Sequence, residues 1–150
     1  MRTVSVTFES RLAASPEELW HWITSTQGVN AEMRPILKLD FPVGMTHIPQ
    51  DGGSLGKKLG DCRFLLFGFV PVDLSRLTFV EIDPGRGFVE QSPLLSMKSW
   101  RHERTIAPDG DGTRLVDRLE FAPRFGAGLV SWFITWFFRH RHAVLRRRFR

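Results

Sequence analysis

The sequence predicts an α+β domain in which an antiparallel sheet of about seven strands wraps around one long C-terminal helix. Three observations carry this. Strand-like runs fill the middle of the chain, short helical segments sit before them, and everything after about Gly126 has the periodicity of a single helix. Runs of strands with helices segregated at the ends are the pattern of an antiparallel α+β fold. The 150 residues fit one domain covering 1–150, because either half alone would bury too little apolar surface. A hydrophobic content of 42% with 25% charged residues is ordinary for a packed chain and excludes general disorder.

Each element has a local reason. Thr3 to Leu12 alternates, with Val4, Val6, Phe8, Ser10 and Leu12 on one face and polar residues on the other. Ser15-Pro16-Glu17-Glu18 then opens a helix: the serine caps, the proline suits the first turn, and Glu18 completes a capping box. Leu19, Trp20, Trp22 and Ile23 supply its apolar face, and Gly28 is expected to interrupt it. A second short helix runs through Ala31, Glu32 and Met33 and ends before Pro35. Residues 42–60, rich in glycine and proline, read as a long irregular loop, a class of segment that is usually functional or mobile. Strands are predicted over Asp61–Phe69, Val72–Ile82 and Gly87–Ser92, with a bulge near Ser75-Arg76 and a turn at Asp83-Pro84-Gly85. Met97–Ile106 and Thr113–Phe121 form a hairpin closed by Asp109-Gly110-Asp111-Gly112.

Charge and motif content narrow the function classes. The net charge of +5 comes from six arginines in the last twelve residues: Arg139, Arg141, Arg146, Arg147, Arg148 and Arg150. Without them fifteen basic residues face sixteen acidic ones, so no surface-wide basic field exists and nucleic acid is not an expected partner. Cys62, the single cysteine, can form neither an internal disulfide nor a thiolate metal cluster. His140 and His142 are two apart and cannot share a helix face, and His47 is isolated, so no metal and no cofactor are expected. The glycine cluster Gly52-Gly53-Ser54-Leu55-Gly56-Lys57 lacks the Gly-Lys-Ser/Thr ending and preceding strand of a phosphate loop. The N-terminal stretch alternates and lacks the apolar run of a signal peptide, which points to a cytoplasmic location.

The element order, with Ser-Pro-Glu-Glu-Leu-Trp at 15–20, Val-Glu-Ile-Asp-Pro-Gly-Arg-Gly-Phe-Val at 80–89, Ser-Trp-Arg-His-Glu-Arg at 99–104 and Gly-Thr-Arg-Leu-Val-Asp-Arg-Leu-Glu-Phe at 112–121, resembles the SRPBCC superfamily, START-like or Bet v 1-like, which includes polyketide cyclase/dehydrase-type proteins. The resemblance implies a helix-grip fold with an internal apolar cavity. These are fold signatures; they carry no catalytic motif, and fold alone does not settle function.

Period-2 alternation places Trp100, His102, Arg104 and Ile106 on one strand face and Leu115, Asp117, Leu119 and Phe121 on the face of its hairpin partner. Both faces are expected to look inward, with Asp117 opposite His102 or Arg104 according to register. A buried charge persists only when paired, so an ion pair within this cluster is expected. The pair either locks sheet to helix or anchors a polar group of a ligand. No catalytic set is assigned; His102, Asp117 and Arg104 are the candidates for a cyclase/dehydrase-type reaction, with His102 as a base beside a carbonyl. In the last helix Leu129, Phe133, Trp136, Phe137, His140 and Val144 are expected to face inward, opposite a polar stripe of Ser131, Thr135, His142 and Arg146. The apolar run from Leu129 to Phe138 is shorter than the ~20 residues that span a bilayer.

The expected function is non-catalytic binding or transport of a small hydrophobic ligand of lipid, isoprenoid or aromatic-polyketide type. Trp100, His102, Arg104, Asp117, Leu119, Phe121, Phe133, Trp136, Phe137 and His140 are the expected ligand-binding residues, with 42–60 near the mouth. A peripheral membrane or protein contact through the arginine-rich helix end is the remaining alternative.

Overall fold

The structure, a computed structural model, describes residues 2–150. One seven-stranded sheet runs in the order β1-β7-β6-β5-β4-β3-β2, and every neighbouring pair is antiparallel. The elements are β1 (Val4–Leu12), α1 (Pro16–Ile23), α2 (Thr26–Met33), β2 (Leu37–Asp40), β3 (Lys58–Leu66), β4 (Val70–Asp83), β5 (Gly87–Glu90), β6 (Met97–Asp109), β7 (Gly112–Pro123) and α3 (Ala127–Arg148). The first and second strands lie at opposite edges, so α1 and α2 cross the open side of the sheet between them. Helix α3, 22 residues or about 33 Å long, lies in the concavity against β1 and α2. This is the expected helix-grip arrangement.

Local chemistry explains most boundaries. The Ser15 hydroxyl accepts the Glu18 amide at 3.1 Å and Pro16 occupies the first helical position, so α1 starts where the capping pattern places it. The hairpin at Gly110-Asp111 has Gly110 at φ 63°, a conformation that favours glycine. At Asp83-Pro84-Gly85, Arg86 N–H donates to the Asp83 carbonyl and Gly85 takes φ 80°.

Three expectations need correction. Leu37–Asp40 forms the edge strand β2, which the sequence reading left undelimited because four residues show little periodicity. The β3–β4 ladder is regular through Ser75 and Arg76; its irregularities lie beside Val72 and between Lys58 and Gly60, and a further one, between Phe79 and Glu81, lies in the β4–β5 ladder. The inward phase runs from Asp73 through Ser75, Leu77 and Phe79. Its polar start is masked because Asp73 accepts the backbone N–H and the hydroxyl of Ser96. Gly28 does not break the first helix. The break is at Thr24-Ser25, where Ser25 caps α2 by accepting the Gly28 amide at 2.9 Å.

Gly28 instead permits the two helices to meet, because a Cβ there would stand 2.0 Å from the Trp22 carbonyl oxygen. Its backbone cannot retreat without losing the Ser25 cap. Gly28→Ala should therefore destabilise the fold by about 2–3 kcal/mol, read as a lower urea midpoint with an unchanged slope. An unchanged midpoint would mean that the junction is plastic.

Candidate ligand cavity and its buried charge network

Between the sheet, α2 and α3 lies a cavity of about 500 Å³. Its wall is apolar apart from Asp73, Glu90, Ser96, His102, Arg104 and Arg141. Val72 from the β3–β4 hairpin, with Leu129 and Trp132 from the first turns of α3, forms the exposed side. Trp132 and Leu129 are 64% and 73% exposed, so the apolar wall continues into solvent as an apolar rim.

The charge network is built around Arg104 on β6, opposite Asp117 on β7 in the register. Arg104 Nε donates to Asp117 Oδ1 at 2.7 Å and Nη2 to Oδ2 at 2.9 Å. The same guanidinium reaches Glu32 of α2, Nη1 to Oε2 at 2.9 Å and Nη2 to Oε1 at 2.8 Å. All three side chains are buried, at 1% exposure or less. Arg141 of α3 adds Nε to Glu32 Oε1 at 3.2 Å and lies over the Phe138 ring at 4.8 Å. Asp117 also binds two imidazoles, His102 Nε2 on Oδ1 and His142 Nε2 on Oδ2, both at 2.7 Å. Arg146 donates to Ser10 Oγ at 2.8 Å, and the same hydroxyl shares a hydrogen bond with His142 Nδ1 at 2.7 Å. Sheet, α2 and α3 are thus joined through one chain of donors and acceptors.

The protonation states follow from burial against partners. Burial pushes the Asp117 carboxyl up, but Arg104 and the two imidazoles outweigh it and hold the acid well below its usual range. Glu32 behaves alike: burial raises it, Arg104 and Arg141 bring it below normal. For His102 burial opposes the imidazolium, yet Asp117, and secondarily Glu90, leave it above the ordinary histidine value. A shift in that direction works against His102 as a general base. The Cys62 thiol is pushed up to about 11 by burial, aided by the nearby carboxylates, which removes it as a nucleophile.

Of the residues singled out from the sequence, Trp100, His102, Arg104, Phe133 and Phe137 line the cavity. Asp117 stands behind that wall, holding Arg104 and His102. Leu119 and Phe121 are buried in the core and do not line it, Phe121 packing on Trp100 at 5.8 Å. Trp136 is 46% exposed and stacks on Trp132 outside. His140 donates to the Arg34 carbonyl at 2.8 Å and also lies off the wall. The expected inward face of α3 was rotated. The buried stripe is Phe137, Phe138, Arg141, His142 and Leu145, and its two polar members drew a hydrophobicity-based assignment toward Trp136 and Leu129. In the loop 42–60 only Ile48 reaches the cavity. Three of the six terminal arginines are engaged inside the fold: Arg141 with Glu32, Arg146 with Ser10, and Arg148 stacked at 3.5 Å over Trp22.

Glu32, Glu90, Arg141, His142 and Ser10 are the members that sequence reasoning missed. Charge balance carried a signal: Arg104 and a charged His102 on one inward face against Asp117 alone require another buried acid.

Among solved structures, the chain resembles a Chromobacterium violaceum protein, CV1439, at 15% identity and TM-score 0.68, over 95% of this chain and 96% of that one. A START superfamily protein from Mycobacterium smegmatis aligns at 14% identity and TM-score 0.65, over 98% and 96%. Ara h 8.0201 aligns at 10% identity and TM-score 0.58, over 96% and 98%. The chain therefore shares the fold of the START superfamily protein and of Ara h 8.0201. Residues 10–149 match the model of DUF8410, a domain of unknown function, and the chain belongs to that family. No curated protein matches it.

Two outcomes are expected. Asp117→Ala leaves Arg104 and two histidines without their acceptor and should cost about 3–5 kcal/mol, measured by urea unfolding. With pH, Asp117 and Glu32 have folded pKa values below their unfolded ones, so their contribution is present above about pH 4.5 and fades as pH falls. His102 has a raised folded pKa, so its contribution is full below about pH 6.5 and fades as pH rises through the folded value. His102→Gln should flatten that alkaline limb of the midpoint-versus-pH curve. An unaltered alkaline limb would mean that His102 does not set it.

Proposed function

We propose that the protein binds and carries or sequesters a small hydrophobic molecule in this cavity, without chemical turnover. The observation that carries the reading is the cavity itself: about 500 Å³, open on one side and apolar except at a few points, the construction of a ligand pocket. The START-like architecture supports it, since the cavity occupies the space between the sheet and the gripped helix. The ligand class expected from the sequence, a lipid, isoprenoid or aromatic polyketide, fits the wall of Phe and Met side chains. A location in the cytoplasm remains an expectation; among the described residues no helix is long and apolar enough to cross a membrane.

The cyclase/dehydrase alternative is less well supported. It needs a base beside the substrate, yet Asp117 is saturated by Arg104 and two imidazoles, and the same carboxylate biases His102 toward its charged form. Docking through the arginine-rich end is also less favoured, because half of those arginines hold contacts within the fold.

A fluorescent apolar probe such as methylpyrene should bind with quenching of tryptophan emission, Trp100 being in the wall. Ile134→Trp, which fills the cavity from α3, should weaken binding at least tenfold while leaving the unfolding midpoint within about 1 kcal/mol. Undiminished binding to that variant would place the probe elsewhere. Native mass spectrometry of protein purified from its own host should then show the mass of the retained molecule.

A further inference from the structure

The polar points of the cavity wall are unequal. Asp73 is satisfied, accepting the amides of Leu74 and Ser96 and the Ser96 hydroxyl. Arg104 spends its guanidinium on Asp117 and Glu32, and Arg141 spends its edge on Glu32. Glu90 and His102 differ. They are cross-strand partners on β5 and β6, and both line the cavity. Glu90 Oε2 accepts the Ser92 hydroxyl at 2.7 Å, which fixes the carboxylate. His102 Nε2 is committed to Asp117, and the rings of Phe88 and Phe138, edge-on at 5.9 and 5.3 Å, fix the imidazole plane. Their other atoms, Glu90 Oε1 and His102 Nδ1, stand 3.9 Å apart on neighbouring strands. That separation is too long for a hydrogen bond but lets one oxygen sit about 2.8 Å from both.

We propose that Glu90 and His102 form the recognition point of the cavity, and that they select an uncharged, hydroxyl-bearing apolar molecule. This rests on the cavity-binding reading above. A hydroxyl donates to Glu90 Oε1 while accepting from His102 Nδ1–H, using both roles of the one group. Formal charge excludes the ionic alternatives. At the point itself the Glu90 carboxylate stands beside His102, whose other ring nitrogen is held by Asp117, while Asp73, Glu32 and Asp117 are taken up by Ser96, Arg104 and Arg141. A carboxylate would add a second negative charge beside Glu90. An ammonium would meet the imidazolium at the same point. In an apolar site either costs more than a neutral hydroxyl with two charge-assisted hydrogen bonds.

The test is a fluorescence titration of the full chain with four probes of one ring system: methylpyrene, pyrenemethanol, pyrenecarboxylate and pyrenemethylamine. Pyrenemethanol should bind about tenfold or more tightly than methylpyrene, with the two ionic probes weaker than the alcohol. Glu90→Gln, which keeps the shape and replaces an acceptor oxygen by an amide donor, should then reverse preferences. The alcohol should weaken about fivefold, the carboxylate strengthen by a similar factor, and methylpyrene remain unchanged, which also shows that the variant is folded. Equal binding of alcohol and methylpyrene, tighter binding of the amine or acid, or a uniform shift of all probes in Glu90→Gln would overturn the assignment while leaving the cavity reading intact. Failure of all four probes to bind would overturn both.

Discussion

The buried guanidinium of Arg104 holds acids from two different elements at once. Its planar fork matches a carboxylate on either edge, Asp117 on the neighbouring strand and Glu32 on the helix that spans the mouth of the sheet. A desolvated guanidinium without partners would not survive folding, so the position of α2 against the sheet follows from where Glu32 must be. Helix α3 is then tied from its own side by Arg141 and His142. Removing this centre would leave the sheet, α2 and α3 joined mainly by apolar contacts, which specify orientation poorly.

The same arrangement explains how a domain this small tolerates a hollow interior. Native cores normally fill their volume, and a void costs the dispersion its lining would have had. Here the polar centre occupies the inner wall while a second apolar cluster, with Leu12, Leu19, Ile106, Leu115 and Leu145, closes one end. Rigidity is supplied by directional bonds at one end of the molecule, so the other end can remain open. The rim at Leu129, Trp132 and Val72 marks where packing stops.

How much of this the sequence carried depended on distance along the chain. Asp117 opposite Arg104 follows from a two-residue turn and strict alternation, both local properties, and the capped start of α1 is equally local. Glu32 meeting Arg104 is a pairing across 72 residues, and Ser10 meeting His142 one across 132. No periodicity reports these, although an excess of inward cations calls for an acid. The inward face of α3 was misread for a related reason. Hydrophobicity ranks Trp136 and Leu129 as core and Arg141 and His142 as surface, whereas the partners waiting on α2 and β7 reverse that order. The irregular points of β4 escaped notice because an inward Asp73, satisfied by Ser96, broke the apolar phase at the wrong place.

The span of these bonds has a kinetic consequence. The hairpin of β6 and β7 closes over a loop of two residues, so Arg104 and Asp117 can meet early. Glu32 and Ser10, by contrast, reach their α3 partners only across separations of 109 and 132 residues. Loop closure on that scale is opposed by chain entropy, and topologies dominated by such contacts fold slowly. Until α3 docks, Asp117 has only part of its donor set and the sheet's concave face is uncovered. Helix α3, which follows the whole sheet in the fold, therefore completes the grip. An intermediate lacking it would expose the most aggregation-prone surface of the molecule, placing the vulnerability of this protein in its folding history more than in its native state.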